Sequence, residues 1–416
     1  MNRLLILLLF FAFIVLIDYY AFQAIKAAFS SSSPGFQKGL KIVYFSITGL
    51  VLLSLLIYNF GNPDGIGKHA RTFLLSFVFI NVLAKTLVAV FVLIDDLQRG
   101  VRWIVKRLSN PEELSSGSEG ISRSKFLATT GIIVAAAPVV SLSWGIISGA
   151  HDYRVRRIKV PIKNLPKSLE GLRIGQLSDI HSGSFWNKTA VKGGVELFEK
   201  EKVDLAIFTG DLVNNKATEM QEWGNIFEKV KAPLGVYSVF GNHDYGDYAE
   251  WSSAQKKKDN LKDLALIHKQ MGWDLLINEH RVLEIQGEKL GLVGVENWSA
   301  KSRFPKYGKL NEALQDMEET ATTILLSPDP SHWQAEVVGQ NPRIDLTLSG
   351  HTHGMQFGVD IPGFKWSPVQ YIYDEWAGLY KSSDQYLYVN RGFGYIGYPG
   401  RVGILPEISI LTLERA

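Results

Sequence analysis

Hydrophobicity along this chain follows two regimes that meet near position 150. Up to about Ile147 the apolar residues run in long stretches, about Leu4–Phe22, Leu40–Phe60, Thr72–Ile94 and Phe126–Ile147. Each is roughly 20 residues, the length that carries a helix across a bilayer core. A buried core helix can mimic one such stretch, and a cleaved signal peptide would account for the first alone. Four in succession predict a bundle of four transmembrane helices. Beyond position 150, short apolar runs of strand length alternate with segments of helical spacing. Strands are predicted at Arg157–Ile162, Leu172–Leu177, Leu205–Phe208, Val236–Phe240, Lys289–Val295, Thr322–Leu326, Leu346–Leu348 and Tyr386–Val389. Helices are predicted at Lys188–Lys200, Thr218–Val230, Leu261–Met271 and Leu310–Glu319.

Alternation of this kind predicts a layered α/β domain, helices covering a sheet. The chain therefore divides into a membrane domain over 1–150 and a second domain over 151–416, with no internal repeat. Ser115–Ser124 reads as a Ser/Gly-rich loop between spans three and four, and Lys256-Lys257-Lys258 as a solvated helix start. Asp18 and Lys85 fall at similar depth in spans one and three and are placed to pair across the bundle. A charge at mid-bilayer costs on the order of 3 kcal/mol on insertion scales, so a lone Lys85 facing lipid is disfavoured. A structural pair is the plain reading and a transport role the sharper one.

Charge sets orientation more than partner choice. The net charge of +3 over 416 residues gives no global pull toward nucleic acid, and no nucleic-acid partner is expected. Lys26, Lys38 and Lys41 follow span one, and Arg99, Arg102, Lys106, Arg107, Arg123 and Lys125 follow span three. Such loops face the cytoplasm, which sends span four outward and makes the second domain extracytoplasmic. Arg154, Arg156, Arg157 and Lys159 argue the other way, with less weight, because large domains translocate largely regardless of charge. Ser122-Arg123-Ser124-Lys125 resembles a twin-arginine export leader whose second arginine has become Ser124. Cysteine is absent, which excludes disulfides and thiolate metal sites.

Candidate chemistry lies in four short blocks: Asp179-Ile180-His181, Gly210-Asp211, Gly241-Asn242-His243-Asp244 and Gly350-His351-Thr352-His353-Gly354. Each follows an apolar run, so each sits where a strand ends, the place where ligands gather in open α/β sheets. Asp, Asn and His hold divalent metals through oxygen and imidazole nitrogen. Singly each block is weak, since Gly-Asp is a common turn and Gly-Asn-His can merely close a strand. Together and in order they build a site with enough ligands for two ions. Two neighbouring ions need a bridging carboxylate and clamp the attacking and leaving oxygens of a phosphoryl displacement.

Leu172–Gly183, Phe208–Asp211, Gly241–Asp244 and Ser349–Gly354 resemble the four motifs of the calcineurin-like metallophosphoesterases, most closely their membrane-associated bacterial branch. The resemblance covers about Ile158–Leu413 and implies a four-layer αββα sandwich. It implies one metal on Asp179, His181, Asp211 and His353, and a second on Asp211, Asn242 and His351, with Asp211 bridging. His243 matches the histidine that contacts phosphate and protonates the leaving group, and Asp244 would orient that imidazole. The ions implied are manganese, iron or zinc.

One departure stands out. The family places a metal-binding His in a pattern like Leu-Leu-Ser-His-Asp-Pro, and here Pro328 occupies that position. His332 reaches the second metal if the Pro-rich turn folds back; otherwise it is a turn residue. Asn390–Gly394 and Pro399–Arg401 look like the family's closing segment, where Arg391 or Arg401 either contacts a substrate phosphate or packs a turn. Gly392–Gly397 fits G-x-G-x-x-G, but too little chain follows for a dinucleotide fold. The basic, aromatic stretch Trp298–Leu310 either meets anionic headgroups, gates the site, or is an insertion without a role.

The sequence thus predicts a multi-pass membrane protein that hydrolyses a phosphoester, a lipid or cell-envelope one by the logic of tethering. Its partners are the lipid bilayer and that substrate. The rival expectation is a module of the same fold that binds a metal or phosphorylated ligand without turnover.

Overall fold

A computed structural model of the chain describes residues 3–61, 66–108 and 123–416. It divides into two compact units, Met1–Ser143 and Trp144–Ala416.

Among the described residues, the first unit holds four long helices, α1 Arg3–Ala28, α2 Pro34–Phe60, α3 Lys68–Leu108 and α4 Arg123–Ile147. All four are long and apolar enough to cross a membrane. Ser33 caps α2 and Pro34 occupies its first turn, where a missing N–H costs nothing. Helix α3 runs beyond the predicted Ile94 because Asp95 and Asp96 pair with Arg99 one turn on. Lys85 Nζ lies 2.8 Å from Asp18 Oδ1 and 3.1 Å from Thr48 Oγ1, and sits over the Tyr44 ring. The buried charge is therefore matched across the bundle, as its depth in sequence implied. Most of the Ser/Gly-rich loop and the start of the leader-like segment, residues 115–122, lie outside the described residues.

The second unit contains fourteen strands. In chain order they are β1 Arg154–Ile162, β2 Arg173–Leu177, β3 Leu205–Phe208, β4 Val236–Ser238, β5 Asp274–Leu275, β6 Glu279–Ile285 and β7 Glu288–Gly294. There follow β8 Thr322–Leu326, β9 Leu346–Ser349, β10 Val359–Ile361, β11 Phe364–Trp366, β12 Gly378–Ser382, β13 Gln385–Val389 and β14 Glu407–Arg415. One mixed sheet has the order β1-β14-β2-β3-β4-β5, and the other β12-β13-β9-β8-β7-β6. Strands β10 and β11 form a separate two-stranded ribbon.

Period-two burial explains the layering. In β3, Leu205 and Ile207 join Ile174, Leu292, Ile324 and Leu348 between the two sheets. Ala206 and Phe208 face the other way, onto Val191, Val195 and Phe198 of helix α5 (Lys188–Lys200). The second sheet does the same: Leu326 points inward, while Leu325 and Val389 meet Trp333, Val337 and Leu310 outside. The result is the αββα sandwich.

Two predicted helices are shorter than their patterns. The 218–230 segment breaks into a turn at Ala217–Met220 and a single helical turn, α6 Gly224–Phe227. Helix α7 spans Ala254–Gln270 with Ser253 as its cap. Helix α8 stops at Leu310–Leu314, because Gln315 turns extended and Asp316 adopts a left-handed conformation.

Candidate metal centre

Parallel strands β2, β3 and β4, with β8 and β9 of the facing sheet, all deliver their carboxyl-end loops to one place. The loops are pinned to each other through backbone bonds, Asp179 N to Gly210 O (2.9 Å) and His181 N to Asp211 O (3.0 Å). Asp179, His181, Asp211, His351 and His353 all have positive φ, between 47° and 72°. Left-handed backbone at a residue other than glycine costs on the order of 1 kcal/mol or more and clusters at functional sites. The surrounding contacts here force the side chains inward.

Asp179, His181 and His353 place one ligand atom each within 4.8 Å of the others, all buried. His181 Nε2 and His353 Nε2 are 3.0 Å apart, Asp179 Oδ1 is 3.4 Å from His353 Nε2, and Asp211 Oδ2 is 3.8 Å from His181 Nε2. Arg401 reaches His353 from behind, Nη2 to Nδ1 at 3.0 Å.

A divalent ion fits these residues for two reasons. Burial and the neighbouring Asp179, Asp244 and Asp329 carboxylates push the Asp211 carboxyl well above its ordinary range, and burial pushes Asp179 up to about 6. Buried carboxyls are thus crowded together here, and the Arg401 guanidinium offsets Asp179 only in part. Burial likewise pushes His181 and His353 well below the usual imidazole value, the neutral form a metal requires. Second, Asn242 Nδ2 donates to the Tyr248 hydroxyl (2.9 Å), leaving its Oδ1 buried without a partner.

His351 shows how the other half is held. Tyr373 gives its hydroxyl proton to Asp329 Oδ2 (3.1 Å) and so accepts from His351 Nε2 at 3.0 Å. This relay fixes the His351 proton on Nε2 and leaves Nδ1 as the ring's lone pair. Sequence reasoning missed Asp329 and Tyr373. The signal available was the acid directly after Pro328, and only folding brings Tyr373 to it.

His243 lines the same cavity, of about 140 Å³, together with His181, Asp211, Asn242, His351, His353, Arg303 and Phe304. Its Nδ1 donates to Asn214 O at 2.9 Å, leaving Nε2 as the free nitrogen, and burial lowers its pKa to about 4.

The contact expected of Asp244 is not made, and for His332, Arg391 and Arg401 the geometry favours the packing alternative. Asp244 does not touch the His243 ring; its carboxylate accepts the backbone N–H groups of Asp211, Leu212, Val213 and Gly241, tying two ligand loops together. His332 is engaged elsewhere: Nδ1 meets Ser327 Oγ (2.8 Å), Nε2 meets Glu336 (3.1 Å), and the ring packs on Trp298. Arg391 is buried against Glu407 (2.6 Å) and Asp360 (3.1 Å) and is not among the residues that line the cavity. Arg401 is equally buried and gives its donors to the Gly392, Gly394 and Ile404 carbonyls and His353. The arginine that does line the cavity is Arg303, from the basic, aromatic stretch.

Comparison with known proteins points to one family. A model described as calcineurin-like phosphoesterase matches residues 172–355, and one described as probable calcineurin-like phosphoesterase, transmembrane domain, matches residues 2–150. A transmembrane protein with metallophosphoesterase domain from Danio rerio is 30% identical over 310 residues, covering 72% of this chain and 66% of that protein. Its counterpart from Bos taurus is 28% identical, covering 71% and 65%. The uncharacterized metallophosphoesterase YkuE of Bacillus subtilis (strain 168) is 26% identical, covering 71% of this chain and 98% of its own length. The match thus spans about two thirds of the two vertebrate relatives.

Proposed function

We propose, from the premise that this chain is a membrane protein belonging to the calcineurin-like phosphoesterase family, that it hydrolyses a phosphoester at a bilayer surface with two divalent ions. The observation that carries the reading is the convergence of Asp179, His181 and His353 within 4.8 Å, beside Asp211 and the unpaired Asn242 oxygen. Asp179, His181, Asp211 and His353 would hold one ion, and Asp211, Asn242 and His351 the other. When bound, such ions act as Lewis acids on phosphoryl oxygens and activate water; manganese, iron and zinc all suit these ligands.

The chain's own residues do the rest. The Asn214 carbonyl orients the His243 ring so that Nε2 is left to carry a proton to the leaving oxygen. Burial keeps that ring neutral until an anionic phosphoester supplies the counter-charge it lacks. Arg303, at the cavity lip, is placed to meet a phosphate oxygen. Phe304, Met355, Val369, Ile372 and Ile396 line the same cavity, an apolar wall that supports a substrate with a hydrocarbon part, a lipid or cell-envelope phosphoester. The excess of Lys and Arg in the loops after spans one and three supports an extracytoplasmic catalytic domain.

The test is hydrolysis of a chromogenic phosphodiester by the full-length protein in detergent, with and without added manganese. Activity that requires the metal and disappears in both Asp211→Asn and His243→Ala is expected. Phosphate binding without turnover under every metal would instead leave a binding module.

A further inference from the structure

The β10–β11 ribbon carries its polarity inside out. Val359 pairs with Trp366 and Ile361 with Phe364, so these four residues share one face, while Asp360 and Lys365 share the other. The polar face is tied to the domain. Asp360 Oδ2 meets Arg156 Nη2 (2.5 Å) and Arg391 Nε (3.1 Å), and Lys365 Nζ donates to the Ala377 carbonyl and the Tyr380 hydroxyl. The apolar face is therefore turned outward, with Ile361 58% and Phe364 55% exposed. Pro362 and Gly363 close the ribbon in a two-residue turn, with Gly363 at φ 82°.

The exposed surface continues. Tyr371, 76% exposed, accepts from Trp366 Nε1 at 3.4 Å, and the neighbouring Ile372 and Met355 are exposed residues that also line the metal cavity. An apolar tract thus runs from the ribbon tip to the lip of the cavity. Arg303 lines that cavity too, and the same loop adds exposed Lys306 and Lys309. Continuous exposed apolar surface marks an interaction site. Aromatic side chains flanked by cations are the composition of a membrane–water interface.

We infer that the outward face of the β10–β11 ribbon, with Tyr371, docks onto an anionic phospholipid leaflet and leads the hydrocarbon part of the substrate past Ile372 and Met355 to the cavity. The four membrane-spanning helices of the same chain confine this domain to a bilayer, so the leaflet is the apolar partner always within reach. The substrate half of the inference rests on the proposed phosphoesterase reading; the docking half does not.

Because the chain has no cysteine, single-cysteine labelling is clean. Phe364→Cys and Ile361→Cys, each carrying a polarity-sensitive fluorophore, are compared with Lys229→Cys in full-length protein reconstituted into phosphatidylcholine/phosphatidylglycerol vesicles containing nitroxide-labelled lipid. Docking gives blue-shifted emission and at least twofold quenching at 361 and 364, with neither at 229. Emission at 364 as water-like as at 229 overturns the inference. A water-excluded label that the nitroxide lipid does not quench also overturns it, since a protein partner or second copy would then cover the face. In parallel, Ile361→Asp/Phe364→Asp is expected to lower hydrolysis of a vesicle-borne phospholipid about tenfold and leave a soluble chromogenic diester unaffected. Equal loss on both substrates, or on neither, removes the substrate half. If the wild type hydrolyses nothing, the enzymatic reading fails while the quenching result still decides docking.

Discussion

Replacing Arg391 with Met separates a structural arginine from a substrate-binding one. The Arg391 guanidinium is buried, donating to Glu407 Oε2 at 2.6 Å and lying 3.1 Å from Asp360 Oδ2. Glu407 is fully buried and also accepts from Tyr388 (2.5 Å) and Ser409 (2.6 Å); its next cation, Arg156, is 3.5 Å away. Arg391 holds the Glu407 carboxyl below its usual range despite burial. Removing one partner of such a pair costs about 3–5 kcal/mol, because the other charge stays buried. At roughly 2–4 °C per kcal/mol for a domain of this size, the melting of the second unit should fall by on the order of 10 °C. Adding Glu407→Gln removes the stranded charge and should recover at least half of that loss. Differential scanning fluorimetry of the full-length protein in detergent measures the first quantity. Steady-state kinetics below the melting range, with KM for a chromogenic diester unchanged within about twofold, supplies the second. An unchanged melting temperature with KM raised tenfold would refute the reasoning and return Arg391 to the substrate.

The relay onto His351 gives another contrast. If His351 holds a metal as proposed, Tyr373→Phe should weaken binding of added manganese there roughly tenfold in titration calorimetry, while His332→Phe should leave metal stoichiometry unchanged. Gly241→Ala would drive a methyl group into the Asp211 carboxylate and backbone nitrogen, so metal content by elemental analysis should fall below one ion per chain. His268 is buried against Ser238, and burial lowers its pKa to about 3 from 6.5. A depressed imidazole means that the unfolded chain binds the extra proton, so the stability it contributes is present above pH 6.5 and lost as pH falls toward 3. Two pH units below 6.5, about 3 kcal/mol should be gone, and His268→Gln should flatten that acid limb in melts recorded across the range.

Much of this protein was legible without coordinates because the signals were local. The four apolar stretches needed only length and hydrophobicity, and Leu205–Phe208, Thr322–Leu326 and Lys188–Lys200 coincide with the observed elements. The short blocks at strand ends were readable because a buried strand and the polar turn after it are adjacent in sequence. Elements that depend on partners were not. The ribbon at Val359–Trp366 and the edge strand Gly378–Ser382 are held by neighbours and by turns, and their residue patterns are too short to stand alone.

The sequence alone determined which residue types stood at the ends of which strands, since pattern and punctuation are properties of neighbours along the chain. Tertiary structure decided which of them face one another. It assigned Asp244 to backbone amides, Arg391 to Glu407 and Arg401 to the back of His353, and it paired Asp329 with Tyr373, 44 residues away, to hold His351. Burial makes that choice. Once a charged or hydrogen-bonding group leaves water it must take whatever partner the packed loops present, and those partners come from distant parts of the chain.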